Sequence, residues 1–290
     1  MDYGFPSGDL LMRTIVSSVL NQNTPEFVRL SQLMGEVGVS KSRVLELAKL
    51  IQNTPVQSID ALLEKRDEFI NEGKFGIAYQ LIQYENADAI FGLHKRCESW
   101  YQYLWNLMQT DDVESFHNNR LSVVTFNYDR SFEFFLRQSL CNLYKIDDQK
   151  AANILTNVPV VHLHGQLGNL PVNEKGGRPY TNQLTPEAIA ESMDGIKIIH
   201  EASDFANDPQ FKRAYELFED AQQIAFLGFG YHPTNVQRLK LRENGKLTGT
   251  VYGFTSKEVG RIREMLPYLN NIREEKVLEF LRSSGILWEK

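Results

Sequence analysis

From about Pro25 to Thr110 the apolar residues fall three and four positions apart. Phe27, Leu30, Leu33 and Met34 repeat this way, as do Val44, Leu45, Leu47, Ala48 and Ile51, then Ile59, Leu62 and Leu63. Leu81-Ile82 and the aromatic stretch Trp100–Met108 continue the pattern. That spacing lines one face of a helix, so the segment predicts a run of helices punctuated at Thr54-Pro55 and Gly73. A further helix is predicted before it, from Leu10, Leu11, Ile15, Val16 and Val19, behind a loop at Asp2–Gly8 and with Asp9 as its candidate cap. After Asn118-Asn119 the period changes. Short apolar runs at Leu121–Phe126, Pro159–Leu163, Ile196–His200, Gln223–Phe226 and Thr248–Gly253 predict strands. Helical stretches such as Phe132–Cys141, Phe211–Ala221 and Lys257–Met265 lie between most of them. Alternating β and α elements predict an α/β fold with a parallel, doubly wound (Rossmann-like) sheet. The expected organisation is one domain over residues 1–290, with a helical subdomain inserted at about 25–118 into a core of residues 1–24 and 119–290. Gly168–Tyr180 reads as a mobile surface loop.

Three predicted strands end in polar or glycine-rich groups. VVTFNYD (Val123–Asp129) and VVHLHG (Val160–Gly165) are β-branched runs that stop abruptly in such groups. In open α/β sheets the ligand lies outside the carboxyl ends of the strands, so Asn127, Asp129 and His164 are candidate site residues. Capping of the helix from Ser131 onward would account for either Asn127 or Asp129. His162 and His164 would share one face of a strand, and Gly165 would admit another backbone or a ligand. A His-x-His pair also suits a metal, but no third ligand is evident. The third strand end is LGFGYHPTN (Leu227–Asn235), where Gly228 and Gly230 would leave N–H groups for phosphate or ribose, or make a tight turn.

Composition narrows the chemistry. A net charge of −6 disfavours broad binding to nucleic-acid backbones. Two distant cysteines, Cys97 and Cys141, form no CxxC pair, so no cysteine-based zinc ribbon is expected and the thiols suit a reducing, cytoplasmic setting. No apolar run approaches the ~20 residues of a membrane helix. The amino terminus, MDYGFPSGDLL, lacks the charged start and apolar stretch of a signal peptide.

With these motifs in place the chain resembles the SIR2-like (sirtuin-related) family. The order FNYD, HLHG, LGFG is similar to the family's QNID, HG, GTS. Asn127 stands at the family's Asn, Asp129 at the Asp of its nicotinamide pocket, His164 at its catalytic His and Gly228 at the start of its GTS segment. DYGFPSGDLL is similar to the stretch that follows the family's Gly-Ala-Gly-x-Ser loop, and Ser58–Ala78 to the helical region of bacterial members. Two departures matter: Phe126 replaces Gln, and the zinc ribbon that helps deacetylases hold acyl-lysine has no cysteines here. The glycine loop would fall immediately before Asp2, so the expectation is a chain whose N-terminal strand is missing.

The resemblance implies NAD as substrate, with no zinc. It makes His164 a general base and Asn127 the group that positions the ribose hydroxyls or a water. It places Asp129 on the nicotinamide carboxamide, with Thr125, Phe126, Gly165, Gly228, Gly230, Phe5 and Pro6 also binding the nucleotide. Without a peptide groove, water is the expected acceptor, which implies a NAD glycohydrolase of the bacterial antiphage-defence kind. Such an enzyme is expected to homo-oligomerise, and a partner NTPase or Argonaute-type protein fits the same picture. The alternatives are a non-catalytic nucleotide-sensing or scaffold subunit and a NAD-dependent protein deacylase.

Overall fold

A computed structural model of the chain describes residues 4–56, 58–92, 99–172, 176–198, 205, 207–241 and 246–287. In chain order the elements that matter below are α1 (Gly8–Leu20), α2 (Pro25–Glu36), α3 (Lys41–Asn53), α4 (Ile59–Leu63), α5 (Ile70–Ile82), α6 (Ala87–Phe91) and α7 (Trp100–Met108). Then come β1 (Val123–Thr125), α8 (Ser131–Tyr144), α9 (Asp148–Leu155), β2 (Val160–His162), α10 (Pro186–Gly195) and α11 (Pro209–Asp220). The last are β3 (Gln223–Phe226), α12 (Pro233–Arg238), β4 (Lys246–Thr250), α13 (Ser256–Met265), β5 (Leu269–Arg273) and α14 (Val277–Ser283). The chain is a mixed α/β protein with short parallel sheets. It forms two compact units, Met1–His94 with Thr110–Glu201, and Lys95–Gln109 with Ala202–Lys290.

In the first unit the helices are set by local chemistry. Ser7, Thr24 and Ser58 cap α1, α2 and α4 through their hydroxyls, and Pro25 takes the first position of α2, where its missing N–H costs no helix bond. The cap of α1 is thus Ser7 rather than Asp9. Asp9 lies in the first turn and pairs with Arg13 at 2.8 Å, a position the helix dipole favours for a carboxylate. Helix α5 is buried on almost every side and packs against α1, α3 and α10. Its glycines permit this: a Cβ on Gly73 would overlap the Leu63 side chain, and one on Gly76 would crowd Ile15. The two strands of this unit pair in parallel, with Thr125 opposite His162 at their carboxyl ends. Ile196, expected to begin a strand, makes one antiparallel bridge to Gly165; residues 199 and 200 lie outside the described residues.

Buried charge pins both described ends of the segment expected as a mobile loop. Arg130, fully buried, donates from Nη1 to the carbonyls of Gly168, Asn169 and Arg178 at 3.3, 2.9 and 2.8 Å. Its Nε and Nη2 reach the two oxygens of Glu85 at 3.0 and 2.8 Å, and Arg178 joins the same carboxylate. Arg178 Nε also donates to Leu167 O at 3.1 Å. Residues 173–175 of the segment lie outside the described residues.

The second unit contains β3, β4 and β5 in that order, all parallel, with α12 and α13 making the crossovers. Parallel neighbours need such crossovers, since a tight turn can join only antiparallel strands. Strand β5 (LNNIR) was not predicted. A capping box of Thr255 and Glu258 starts α13. Phe226, Phe229, Tyr231 and Phe254 cluster at the carboxyl end of β3. Gly249 on β4 makes room for them, because a Cβ there would meet the Tyr231 hydroxyl.

Candidate functional site

The site is built at the carboxyl ends of β1 and β2 in the first unit. Beyond Thr125 the chain turns: the Asn127 N–H donates to the Thr125 hydroxyl at 3.0 Å, a side-chain turn that ends the strand. Asn127 is exposed, and no hydrogen bond to its side-chain amide occurs among the described residues. Asp129 accepts from the Ser131 N–H at 3.3 Å and from the Ser131 hydroxyl. Of the two residues, Asp129 is therefore the one that satisfies the start of α8. Burial raises the Asp129 carboxyl above its ordinary range, and the nearby Glu133 adds to this against the Ser131 hydrogen bond.

The two histidines do not share one strand face. Strand β2 ends at His162, the Gly165 N–H donates back to the His162 carbonyl at 3.2 Å, and His164 falls in the turn between them. His162 meets Glu133 and the Asn127 carbonyl. His164 meets Asp60, with Nδ1 3.6 Å from Oδ1. Gly165, at φ +73°, serves a backbone approach: a Cβ there would run into the Gly195 carbonyl.

Asp60 and Tyr128 complete the His164 environment. Asp60 comes from α4, and the Tyr128 hydroxyl donates to the same Oδ1 that faces His164. Burial works against the Asp60 charge, but the His164 contact and the Tyr128 hydroxyl outweigh it and hold the carboxyl below its usual range. The Tyr128 phenol is pushed up by burial and by the Asp60 charge. His164 is itself buried, and its Nε2 has no hydrogen-bond partner among the described residues. Phe126, half-buried, stands edge-on to the His164 ring at 5.1 Å between centroids. An imidazole with a carboxylate at one nitrogen and an unpartnered second nitrogen is the pattern of a general base.

No model of a known protein family, no curated protein and no solved structure matches this chain. What the site can do is therefore set by its own chemistry. Among the described residues no group of three or more His, Cys, Asp and Glu side chains is placed to hold a metal ion, and no helix is long and apolar enough to cross a membrane.

Thr125, Phe126, Asn127, Asp129, His164 and Gly165 lie in one neighbourhood of the first unit. Phe5 and Pro6 are buried in the same unit, Phe5 against the Tyr84 ring at 5.9 Å. Gly228 and Gly230 belong to the second unit. The Gly228 N–H, expected to be free for phosphate, donates to the Thr250 hydroxyl at 3.0 Å. Gly230 faces open space. Asp60, Tyr128 and Glu133 went unrecognised from sequence. Asp60 follows a capping serine at a helix start, where an acid needs no further explanation.

Proposed function

We propose that this chain is a NAD+ glycohydrolase of the SIR2-like kind, releasing nicotinamide and ADP-ribose. The observation that carries the reading is the buried His164 Nε2, unpartnered while the other ring nitrogen faces Asp60, beside the exposed Asn127 at the neighbouring strand end. Parallel pairing of β1 with β2 and the βαβαβ run of the second unit support the Rossmann-like, doubly wound architecture that goes with it.

In this mechanism nicotinamide leaves as a neutral base from a positively charged pyridinium, and the strain of the step falls on an oxocarbenium-like ribose. Asp129 holds the carboxamide and Asn127 positions the attacking water or the ribose hydroxyls. His164 Nε2 takes the proton of the water as its oxygen bonds to the anomeric carbon and the carbon–nitrogen bond breaks. The products are nicotinamide, ADP-ribose and one proton. Asp60 keeps Nδ1 as the donor nitrogen, so that Nε2 presents its lone pair. Such an activity drains NAD and needs restraint, which supports a regulated role in antiphage defence, with self-assembly or a partner NTPase or Argonaute-type protein as the control.

The test is nicotinamide release from NAD by the purified chain, alongside His164→Ala and Asn127→Ala. Loss of release in both variants supports the reading. Release that persists unchanged in either, or no release from the wild type in any assembly state, overturns it.

The hydrogen bond from Gly228 N–H to Thr250 favours a second reading, in which the chain is a non-catalytic subunit that does not cradle phosphate there. Calorimetric titration with NAD and with ADP-ribose separates the two, since a scaffold binds neither.

A further inference from the structure

The His162 ring is held between two acceptors. Nδ1 lies 2.7 Å from the Asn127 carbonyl oxygen and Nε2 lies 2.6 Å from Glu133 Oε1. A neutral imidazole has one N–H, so it donates to one of these and turns a lone pair toward the other. A peptide carbonyl has no proton to offer in return. Both contacts are satisfied only by one more proton, on the ring or on Glu133. Glu133 keeps 22% of its side chain in solvent, against 4% for His162. The carboxylate thus keeps part of its hydration, and the ring, closed off from water, gains two charge-assisted bonds by holding the proton.

We infer that His162 is a buried imidazolium and the positioning residue for Asn127, gripping its peptide carbonyl so that the site is set while the ring is charged and slack once it is neutral. This rests on the reading of Asn127 as a site residue. The charged groups that act most on the ring are Glu133 from α8 and Asp129 from the connection between β1 and α8. Burial opposes the ring's charge, but the Glu133 carboxylate, its hydrogen bond, the Asn127 carbonyl and Asp129 together outweigh it and raise the pKa. When the proton leaves, the stronger bond survives: Nε2–H stays on the Glu133 carboxylate, and Nδ1 turns its lone pair to the Asn127 oxygen. That contact becomes repulsive, and the Asn127 peptide moves. Two histidines then play different parts, His164 offering a lone pair to the reaction and His162 holding the frame while charged, so loss of the His162 proton gives the pH profile a falling alkaline limb.

The experiment is a pH titration of the whole chain labelled with 15N-histidine and 15N-tyrosine, the His162 resonance being identified by its loss in His162→Gln. In an imidazolium the two ring nitrogens resonate close together, and in a neutral ring they split widely. The expected result is an unsplit His162 signal at neutral pH, with a midpoint above that of an ordinary histidine, about 6.5. The Tyr128 amide, the other half of the Asn127 peptide, should shift with the same midpoint. Glu133→Gln should lower that midpoint, and it identifies the signal should His162→Gln fail to fold. Nicotinamide release should fall on the order of tenfold per pH unit above the midpoint, and the limb should vanish in His162→Gln, whose amide still donates to the carbonyl. A split, singly protonated ring at neutral pH overturns the inference, as does a Tyr128 amide that ignores the titration. A charged ring with a responsive Tyr128 amide but no nicotinamide release overturns the enzymatic reading and leaves the imidazolium in place.

Discussion

The Asp60 carboxylate lies 3.6 Å from His164 Nδ1 and takes the Tyr128 hydroxyl at the same oxygen. A half-buried carboxylate so placed favours the proton on the ring nitrogen that faces it. Asp60→Asn removes that preference while keeping the shape. Under the NAD reading it should cut nicotinamide release by about a hundredfold, the low end of what a general base supplies, with the far-ultraviolet dichroism unchanged. Tyr128→Phe keeps the carboxylate and should cost much less. An Asp60→Asn variant as fast as the wild type removes Asp60 from the mechanism.

Arg130 and Arg178 share the one carboxylate of Glu85, and all three side chains are buried. Removing the acid leaves two guanidinium groups in the interior whose remaining hydrogen-bond partners, among the described residues, are backbone carbonyls. Breaking a buried pair by deleting one member costs about 3–5 kcal/mol, so Glu85→Ala should lower the urea midpoint sharply. Proteolysis should then cut first near Gly168–Arg178, the stretch that these arginines hold. The exposed pair of Lys150 and Glu114 is the control. Solvent screens it, so Glu114→Ala should leave the midpoint where it is. Equal midpoints for Glu85→Ala and the wild type would show that the cluster holds nothing together.

This cluster also shows where a linear reading stops. Strands β1, β2 and β3 were legible because each is an apolar run broken by polar or glycine residues, and that local pattern is what burial at a strand end demands. Strand β5 (LNNIR) was not, since Leu269 and Ile272 are its apolar residues and two asparagines lie between them. Nothing in the sequence near Arg130 or Arg178 names Glu85 as their partner. The same holds for the site. Asn127, Asp129 and His164 stood out at strand ends, while Asp60 sits in a distant helix, where its acid looks like an ordinary first-turn carboxylate. Local periodicity reports which elements form; it carries no record of which charges meet across them.

Gly165 occupies the left-handed region at φ +73°, with the Gly195 carbonyl where a Cβ would go. An L-residue there meets both backbone strain, about 1–3 kcal/mol by itself, and a collision with main chain that has no flexible end to yield. Gly165→Ala should therefore destabilise the first unit by about 2 kcal/mol or more and displace His164, whose carbonyl accepts from Lys197 N at 2.8 Å across the same approach. Gly230→Ala, with open space around it, should be neutral in the same urea series. If Gly165→Ala unfolds at the wild-type midpoint, the close approach is not needed.

Asp129 is the site residue whose charge the fold opposes. Its carboxyl is raised by burial first, then by Glu133, against the help of Ser131 and His162. A raised pKa means the folded state holds the proton more tightly than the unfolded chain does. The stabilisation from that proton is fully present below the unfolded value, about 3.9, and is lost as pH rises through the folded value. At neutral pH the charged Asp129 thus costs stability. Asp129→Asn keeps an oxygen for the Ser131 N–H and hydroxyl and carries no charge. The variant should be more stable than the wild type at neutral pH, with the advantage shrinking as pH falls toward about 4. Under the NAD reading it should also bind substrate less well, because the group that holds the carboxamide has been changed. Urea denaturation of both proteins across that pH range, paired with the KM for NAD, checks both halves. A wild type more stable than Asp129→Asn at neutral pH would mean that the charge is supported rather than merely tolerated, and that His162 and Ser131 outweigh burial and Glu133.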